Sequence, residues 1–153
     1  MLTRTDINPH IGITATGVID PSTNTWYLTS KTYLSQTPGA QGKPNARYYF
    51  HAINTEDLTE RTGFPTSHEG QLARNNPNKP FQAGIHHARP GLLQTGQYVY
   101  AGFASHCAQY NFTGWIVGWD KTTGQVVENY AMEGGKSSKY HFQSHDTNTN
   151  QLA

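Results

Sequence analysis

The sequence has few charged residues, one cysteine and no long apolar run. Asp, Glu, Lys and Arg make up only 14% of the 153 residues, and the formal net charge is +1. Such a chain has no extended positive surface that would attract nucleic acid. A single cysteine excludes an internal disulfide framework, and no apolar stretch approaches the roughly 18 residues that span a bilayer. We therefore expect neither nucleic acid nor a membrane as a partner.

A signal peptide is also missing from the sequence, since MLTRTDINPH at residues 1–10 lacks an apolar core. The tripeptide Asn111-Phe112-Thr113 is nevertheless a glycosylation acceptor pattern, which marks surface loops of secreted proteins and also arises by chance. Asn111 is therefore a candidate glycosylation site. The pattern is compatible with an extracellular parent protein and does not require one.

Helical periodicity is nearly absent, whereas β-branched and aromatic runs bounded by Gly, Pro, Asn and Asp recur throughout. We predict an all-β fold with two sets of strands, each a four-stranded antiparallel meander joined by turns rich in Gly, Asp and Asn. Jelly rolls and other sandwiches also use short strands and stay open as alternatives. The predicted strands are 11–19, 25–33, 46–54 and 58–66 in the first set, and 89–95, 97–105, 114–120 and 125–133 in the second.

The two sets repeat each other in sequence. GVIDPSTNTWYL and PGLLQTGQYVY both place an aromatic strand after a turn, and FHAINTEDLTE and VGWDKTTGQVVE both place a Glu-bearing strand after a Thr-containing turn. Tandem four-stranded units are typical of a β-propeller. The predicted blades are approximately residues 10–68 and 84–133, with an inserted loop at 67–82. Residues 1–133 would then form the propeller region, and 134–153 a divergent polar tail.

The segment VYAGFASHC, followed by GWIVGWDKTTGQVV, resembles the blade motif of the PQQ-like, or quinoprotein alcohol dehydrogenase-like, β-propeller superfamily. GVIDPSTNTWYLTSKT, YYFHAINTEDL and RPGLLQTGQYVYAGFASHC are similar to secreted members of fungi and bacteria. The resemblance covers approximately residues 11–133. It implies a propeller fold and an extracellular setting, and it implies no particular reaction because this fold hosts many functions.

Two features depart from that family. Ala108 follows Ser-His-Cys where relatives have Asp, and the chain after Glu133 does not continue as a blade. A complete propeller needs about four to eight blades, whereas this chain supplies two. The ring is incomplete unless chains associate, and open edges and apolar faces would favour pairing. We expect self-association, or missing blades, as the partner; about three copies would give a six-bladed ring and about four an eight-bladed ring.

Histidines gather at the predicted rim of the second blade. Successive strands of a meander reverse direction, so the start of the first strand and the end of the second lie at one end. The residues placed on this ligand rim are His86, His87, Arg89, His106 and Cys107, with His10 at the matching position of the first blade. Imidazole and thiolate bind zinc and copper, which makes His86, His87, His106 and Cys107 a candidate metal set. Hydrogen-bonded loop histidines are the alternative, because the spacing matches no metal signature and adjacent strand residues point to opposite faces.

Other catalytic patterns are weak. Ser67-His68 and Ser144-His145 are adjacent in sequence, but a serine nucleophile needs a base nearby in space and a third group that orients the base.

We do not expect bound pyrroloquinoline quinone, because two blades offer only part of such a site. The prediction is a binding or assembly module without a complete catalytic site. The alternatives are part of a quinone- or metal-dependent oxidoreductase, and an extracellular carbohydrate-binding protein.

Overall fold

The computed structural model describes residues 11–35, 44–105 and 113–132. These ranges contain antiparallel sheets and one short 3₁₀ turn, Ala83–Ile85, so the all-β class is confirmed. No helix in the described part of the chain has the length and apolar character needed to cross a membrane. The strands are β1 (Val18–Asp20), β2 (Thr25–Tyr33), β3 (Ala46–Asn54), β4 (Thr66–Ser67), β5 (Leu72–Ala73), β6 (Asn76–Pro80), β7 (His86–Ala88), β8 (Leu93–Thr95), β9 (Tyr98–Ser105), β10 (Trp115–Asp120) and β11 (Val126–Ala131).

Sheet 1 is an antiparallel meander in the order β1-β2-β3-β4. Its centre is the long pair β2 and β3, which runs in register from Thr25 opposite Asn54 to Tyr33 opposite Ala46. Both strands have the bounds that the sequence predicted, because their aromatic and β-branched residues end at turn-forming residues. The predicted strand at 58–66 is wrong except for an isolated bridge at Glu60 and for Thr66, the first residue of β4.

Sheet 2 has the order β11-β10-β9-β7, and β8 also pairs with β9. The two short strands β7 and β8 lie end to end along β9, and Pro90 falls in the break between them. Proline has no N–H to continue a ladder. The prediction of one strand over 89–95 is therefore wrong at its amino-terminal half, and the strand over 11–19 is likewise reduced to a bridge at Gly12 and to β1.

The two interrupted first strands contact each other instead. Leu92 donates its backbone N–H to Thr16 O at 2.8 Å, and Thr14 Oγ1 donates to Ala88 O at 2.6 Å. Backbone groups that have no partner within their own sheet are thus hydrogen-bonded to the other sheet, because buried polar groups need a hydrogen-bond partner. These contacts bring the first strands of the two sheets side by side.

The insertion at 67–82 is a hairpin, β5-β6, and not the loop that the sequence predicted. Its turn covers the free edge of β11: Arg74 N donates to Asn129 O at 2.7 Å, and Ala131 N donates to Asn75 Oδ1 at 3.0 Å. An uncovered edge strand invites pairing with another chain. The open edges that the sequence predicts as an assembly surface are therefore not all open, because the hairpin occupies the edge of β11.

The core lies between the two sheets. Phe50 of β3 stacks on Trp119 of β10 with ring centroids 4.5 Å apart, and Tyr48 meets the edge of Phe103 at 5.0 Å. Phe81, from the hairpin side, packs on both Tyr48 and Phe103. Burial of aromatic rings from both sheets is the main stabilising contribution expected here.

The sequence repeat is visible in the backbone. In the turn after β3, Asn54 N donates to Thr59 O, and in the turn after β10, Asp120 N donates to Gln125 O, each at 2.9 Å. Leu58 and Gly124 occupy the same turn position, with φ values of 60° and 70°. The turns of the two sheets therefore share one geometry.

Aligning the two sheets by these matching turns shows which of their faces meet. In this alignment Phe50 corresponds to Ile116, and Ile53 corresponds to Trp119. Phe50 and Trp119 are buried against each other, whereas Ile116 is 41% exposed and Ile53 is partly exposed. The sheets consequently pack front to back, through faces that are not equivalent in the repeat. Within the described residues the sheets stay open.

Candidate functional site

A chain of three polar side chains, Ser30, His51 and Glu60, crosses the outer face of sheet 1. Ser30 Oγ lies 2.8 Å from His51 Nε2, and His51 Nδ1 lies 2.8 Å from Glu60 Oε2. The register of β2 and β3 explains the first contact, since Ser30 opposes Tyr49 and is a diagonal neighbour of His51. The order Ser, His, carboxylate is that of an activated serine nucleophile.

The turn after β3 positions the carboxylate. It returns the chain so that Glu60 bridges to Ile53, and Glu60 Oε1 accepts the backbone N–H of Ala52 at 3.0 Å. Both carboxylate oxygens are therefore fixed, one by the backbone and one by His51. This turn orients the third member of the chain without help from another sheet.

The hydrogen bonds assign the histidine tautomer. An ionised carboxylate only accepts, so His51 Nδ1 carries the proton that faces Glu60. In the neutral ring Nε2 is then the acceptor, and the hydroxyl of Ser30 donates to it. A serine that donates to an oriented imidazole is set up to lose its proton to that ring.

The three residues are only partly exposed to solvent. The side chains of His51 and Glu60 are 19% and 27% exposed, and the Tyr49 ring lies 6.4 Å from the His51 ring. The amide after the serine, Lys31 N, donates to Gly12 O at 2.8 Å. It is not free to stabilise an oxyanion, a contribution that in hydrolases is often the largest single one.

The sequence did not reveal this site. Its members are separated by 21 and 9 residues in the chain, whereas Ser67-His68 and Ser144-His145 are adjacent in sequence. The correctly predicted bounds of β2 and β3 were the one usable signal, because a hairpin between them with the right register places Ser30 beside His51.

His86, of the predicted metal set, is buried and its ring nitrogens are engaged. Nδ1 lies 2.6 Å from Gln82 O and Nε2 lies 2.8 Å from Thr113 O, and the ring stacks on Phe81. Burial lowers the pKa of His86, and the two carbonyls oppose that change. A metal would have to displace one of these carbonyls, since a backbone oxygen can only accept.

The rest of the predicted rim is only partly described. His87 is buried and Arg89 is exposed, and Ser105, the residue before His106, pairs with His86. His10, His106, Cys107 and Asn111 lie outside the described residues. Within the described ranges, no three His, Cys, Asp or Glu side chains form a group suited to a metal. The metal set and the glycosylation site stay predictions.

His68, which the sequence offered only as the neighbour of Ser67, is a buried titratable group. Its ring is enclosed by aromatic rings, with Phe81 at 4.3 Å and Trp119 at 5.2 Å between centroids. Neither ring nitrogen has a hydrogen-bond partner among the described residues. Burial lowers the pKa of His68 to about 3. This histidine is therefore neutral at ordinary pH and serves as part of the core.

A polar cleft of about 500 Å³ opens where the turns of the two sheets meet, and Glu60, Tyr27 and Phe64 contribute to its wall. Its two cations are already engaged: Lys121 Nζ lies 2.7 Å from Asp20 Oδ2, and Arg61 donates to backbone carbonyls. The charge of Lys121 is thus compensated by Asp20, whereas Arg61, whose partners are uncharged carbonyls, keeps its positive charge at the cleft.

Comparison of the chain with protein-family models, with curated proteins and with solved structures found no match. The resemblance to the PQQ-like propellers thus rests on the sequence motifs alone.

Proposed function

We propose that the chain is an assembly module, in which a second copy packs head to tail on the exposed face of sheet 2. The front-to-back packing of the two sheets within one chain carries this proposal. Sheet 1 packs one face of the repeat against sheet 2. The corresponding face of sheet 2 is left uncovered by the described residues.

The uncovered face is largely apolar, and it also carries the ion pair of Glu128 with Arg74. Its side chains on successive strands are Leu93, Tyr100 and Ile116. They match Val18, Tyr27 and Phe50 of sheet 1, which pack against sheet 2. Tyr98, Tyr130 and Met132 extend this surface. Exposed apolar patches of this kind mark interaction sites.

The complementary face lies on the outside of sheet 1. Its partly exposed residues include Trp26 and Ile53, which match Val99 and Trp119, both buried in the contact between the sheets. A second copy can therefore repeat outside the chain the contact that already exists inside it. Such a head-to-tail contact closes into a ring if the rotation per copy allows.

A ring of this kind would be a β-propeller, which agrees with the resemblance in the sequence. The covered edge of β11 favours contact through faces over contact through edges. About three copies would supply six blades and about four would supply eight, both within the usual range.

The test is the mass of the assembly, measured by native mass spectrometry and sedimentation velocity. We expect a discrete trimer or tetramer for the natural sequence and a monomer for Ile116→Glu, which places a charge in the proposed interface. Leu72→Glu is the control, because Leu72 is 55% exposed on the hairpin and is not a residue of either proposed face. A natural chain that is monomeric at all concentrations, or an Ile116→Glu variant that still assembles, would contradict the proposal.

A further inference from the structure

We propose that Ser30 is a nucleophile, activated by His51 and held in register by Glu60, that accepts acyl groups from activated esters. The geometry on the outer face of sheet 1 carries this inference. Both hydrogen bonds of the chain measure 2.8 Å, and Glu60 is anchored separately by Ala52 N. The inference does not depend on assembly.

The chemistry follows from the hydrogen bonds. Ser30 Oγ attacks the carbonyl carbon of the ester while its proton moves to His51 Nε2. The bond from that carbon to the leaving oxygen then breaks, and the leaving alcohol takes the proton from Nε2. Water repeats the cycle on the acyl-serine, giving the carboxylic acid and restoring Ser30. Ser30 and His51 are the catalytic residues, and Glu60 is a positioning residue.

The engagement of the Lys31 amide sets the substrate class. Because Lys31 N is used in the contact with Gly12 O, a tetrahedral intermediate on Ser30 lacks the amide that commonly stabilises it. Amides and alkyl esters, which have poor leaving groups, would then react too slowly to matter. The class that fits is aryl esters, whose ring can lie against the partly exposed Tyr49 beside His51.

The position of the site connects it to the proposed assembly. Ser30 and His51 share the outer face of sheet 1 with Trp26 and Ile53. A closed ring would cover the nucleophile in every copy, whereas an open dimer would leave one of two free. The nucleophile is therefore expected to react in the monomer and to be shielded on assembly.

The first experiment is labelling with a fluorophosphonate, followed by peptide mass spectrometry to locate the label. It is done on the natural chain and on Ile116→Glu, so that an accessible monomer is present whether or not the natural chain assembles. We expect one label per chain on Ser30 in the monomer and none in Ser30→Ala. Ser67→Ala is the matched control, because Ser67 is exposed and precedes a histidine in sequence but makes no such relay. Label on another residue, or no label on the monomer, would overturn the inference.

The second experiment measures hydrolysis of p-nitrophenyl acetate. We expect an acylation burst that disappears in Ser30→Ala and an acylation rate about 100-fold lower in His51→Gln, as for loss of a general base. Glu60→Gln should lower the maximal acylation rate while leaving the half-saturating ester concentration and the circular dichroism spectrum unchanged. If Glu60 only supported the fold, Glu60→Gln would change the circular dichroism spectrum and move the fluorophosphonate label to another residue. Equal bursts in the natural chain and in Ser30→Ala would show surface imidazole chemistry and contradict the proposal.

The two proposals can fail separately. A natural chain that stays monomeric but labels at Ser30 would contradict assembly and support the nucleophile. If the natural chain assembles and the Ile116→Glu monomer is not labelled at Ser30, the assembly is supported and the nucleophile is contradicted.

Discussion

Phe50 and Trp119 lie face to face across the two sheets, with ring centroids 4.5 Å apart and an angle of 10° between their planes. Both side chains are fully buried, and each belongs to the central part of its sheet. The pair therefore joins the two halves of the repeat at the point where the front of one meets the back of the other.

Removing this contact should weaken the fold strongly. We expect Trp119→Ala to lower the free energy of unfolding by about 3 to 5 kcal/mol, through lost burial and an unfilled cavity. Trp119→Phe is the matched control, since it keeps a ring against Phe50, and the indole N–H has no hydrogen-bond partner to lose among the described residues. Urea unfolding measures both variants. Equal losses would show that the stacking contact does not govern the stability.

The sequence predicted the parts of the fold that depend on local pattern. The bounds of β2 and β3 follow from aromatic and β-branched runs that end at turn residues. The broken first strands could not be found in this way, because contacts such as Leu92 N to Thr16 O form only once both sheets are in place. The site was missed for a related reason. Whether Ser30 meets His51 depends on the register of a hairpin, and composition carries no information on register.

The matching turns of the two sheets predict opposite changes in the free energy of unfolding when their corresponding residues are substituted. Leu58 adopts a φ of 60°, a conformation that costs an L-residue roughly 1 kcal/mol or more. Its side chain is 70% exposed and stabilises little in return. We expect Leu58→Gly to raise the free energy of unfolding by about 1 kcal/mol.

Gly124, at the same turn position, should respond in the opposite direction. A Cβ there would lie 2.6 Å from Thr66 Cγ2, and φ is 70°. Gly124→Ala should therefore lower the free energy of unfolding by more than about 1 kcal/mol. Denaturant titration of both variants makes the comparison, and a stabilising Gly124→Ala would show that this turn relaxes.

Asp20 and Lys121 join the two sheets through an ion pair of 2.7 Å. Lys121 first, and the Ser22 hydroxyl second, hold the pKa of Asp20 well below its usual range. A lowered folded-state pKa stabilises the fold above the unfolded value, about 3.9, and the contribution is lost as the pH falls below it. We expect Asp20→Asn to be less stable at pH 7 and to lose less stability than the natural chain between pH 4 and 2.

A double-mutant cycle tests the source of this effect. Lys121→Met alone leaves Asp20 without its cation, so the double variant with Asp20→Asn should lose less than the sum of the single variants. Additive losses in urea unfolding would assign the acid sensitivity to the Ser22 contacts.

His68 should make the fold sensitive to mild acid. Its pKa is about 3 in the folded protein because of burial, against roughly 6.5 when unfolded. Below pH 6.5 the unfolded chain therefore binds a proton that the folded chain excludes, and stability falls by about 1.4 kcal/mol for each pH unit toward pH 4. His86, whose pKa burial also lowers, adds in the same direction.

His68→Phe isolates the share that belongs to His68. The phenyl ring fits among the surrounding aromatic rings and removes two buried nitrogens that have no partner in the described part of the chain, so we expect the variant to be more stable at pH 7. Its advantage should widen between pH 6 and 4, because one proton fewer is taken up on unfolding. This range lies above the one governed by Asp20, so urea unfolding at each pH separates the two effects. An unchanged pH slope in His68→Phe would mean that His68 gains a proton acceptor in the folded protein and is not held neutral by burial.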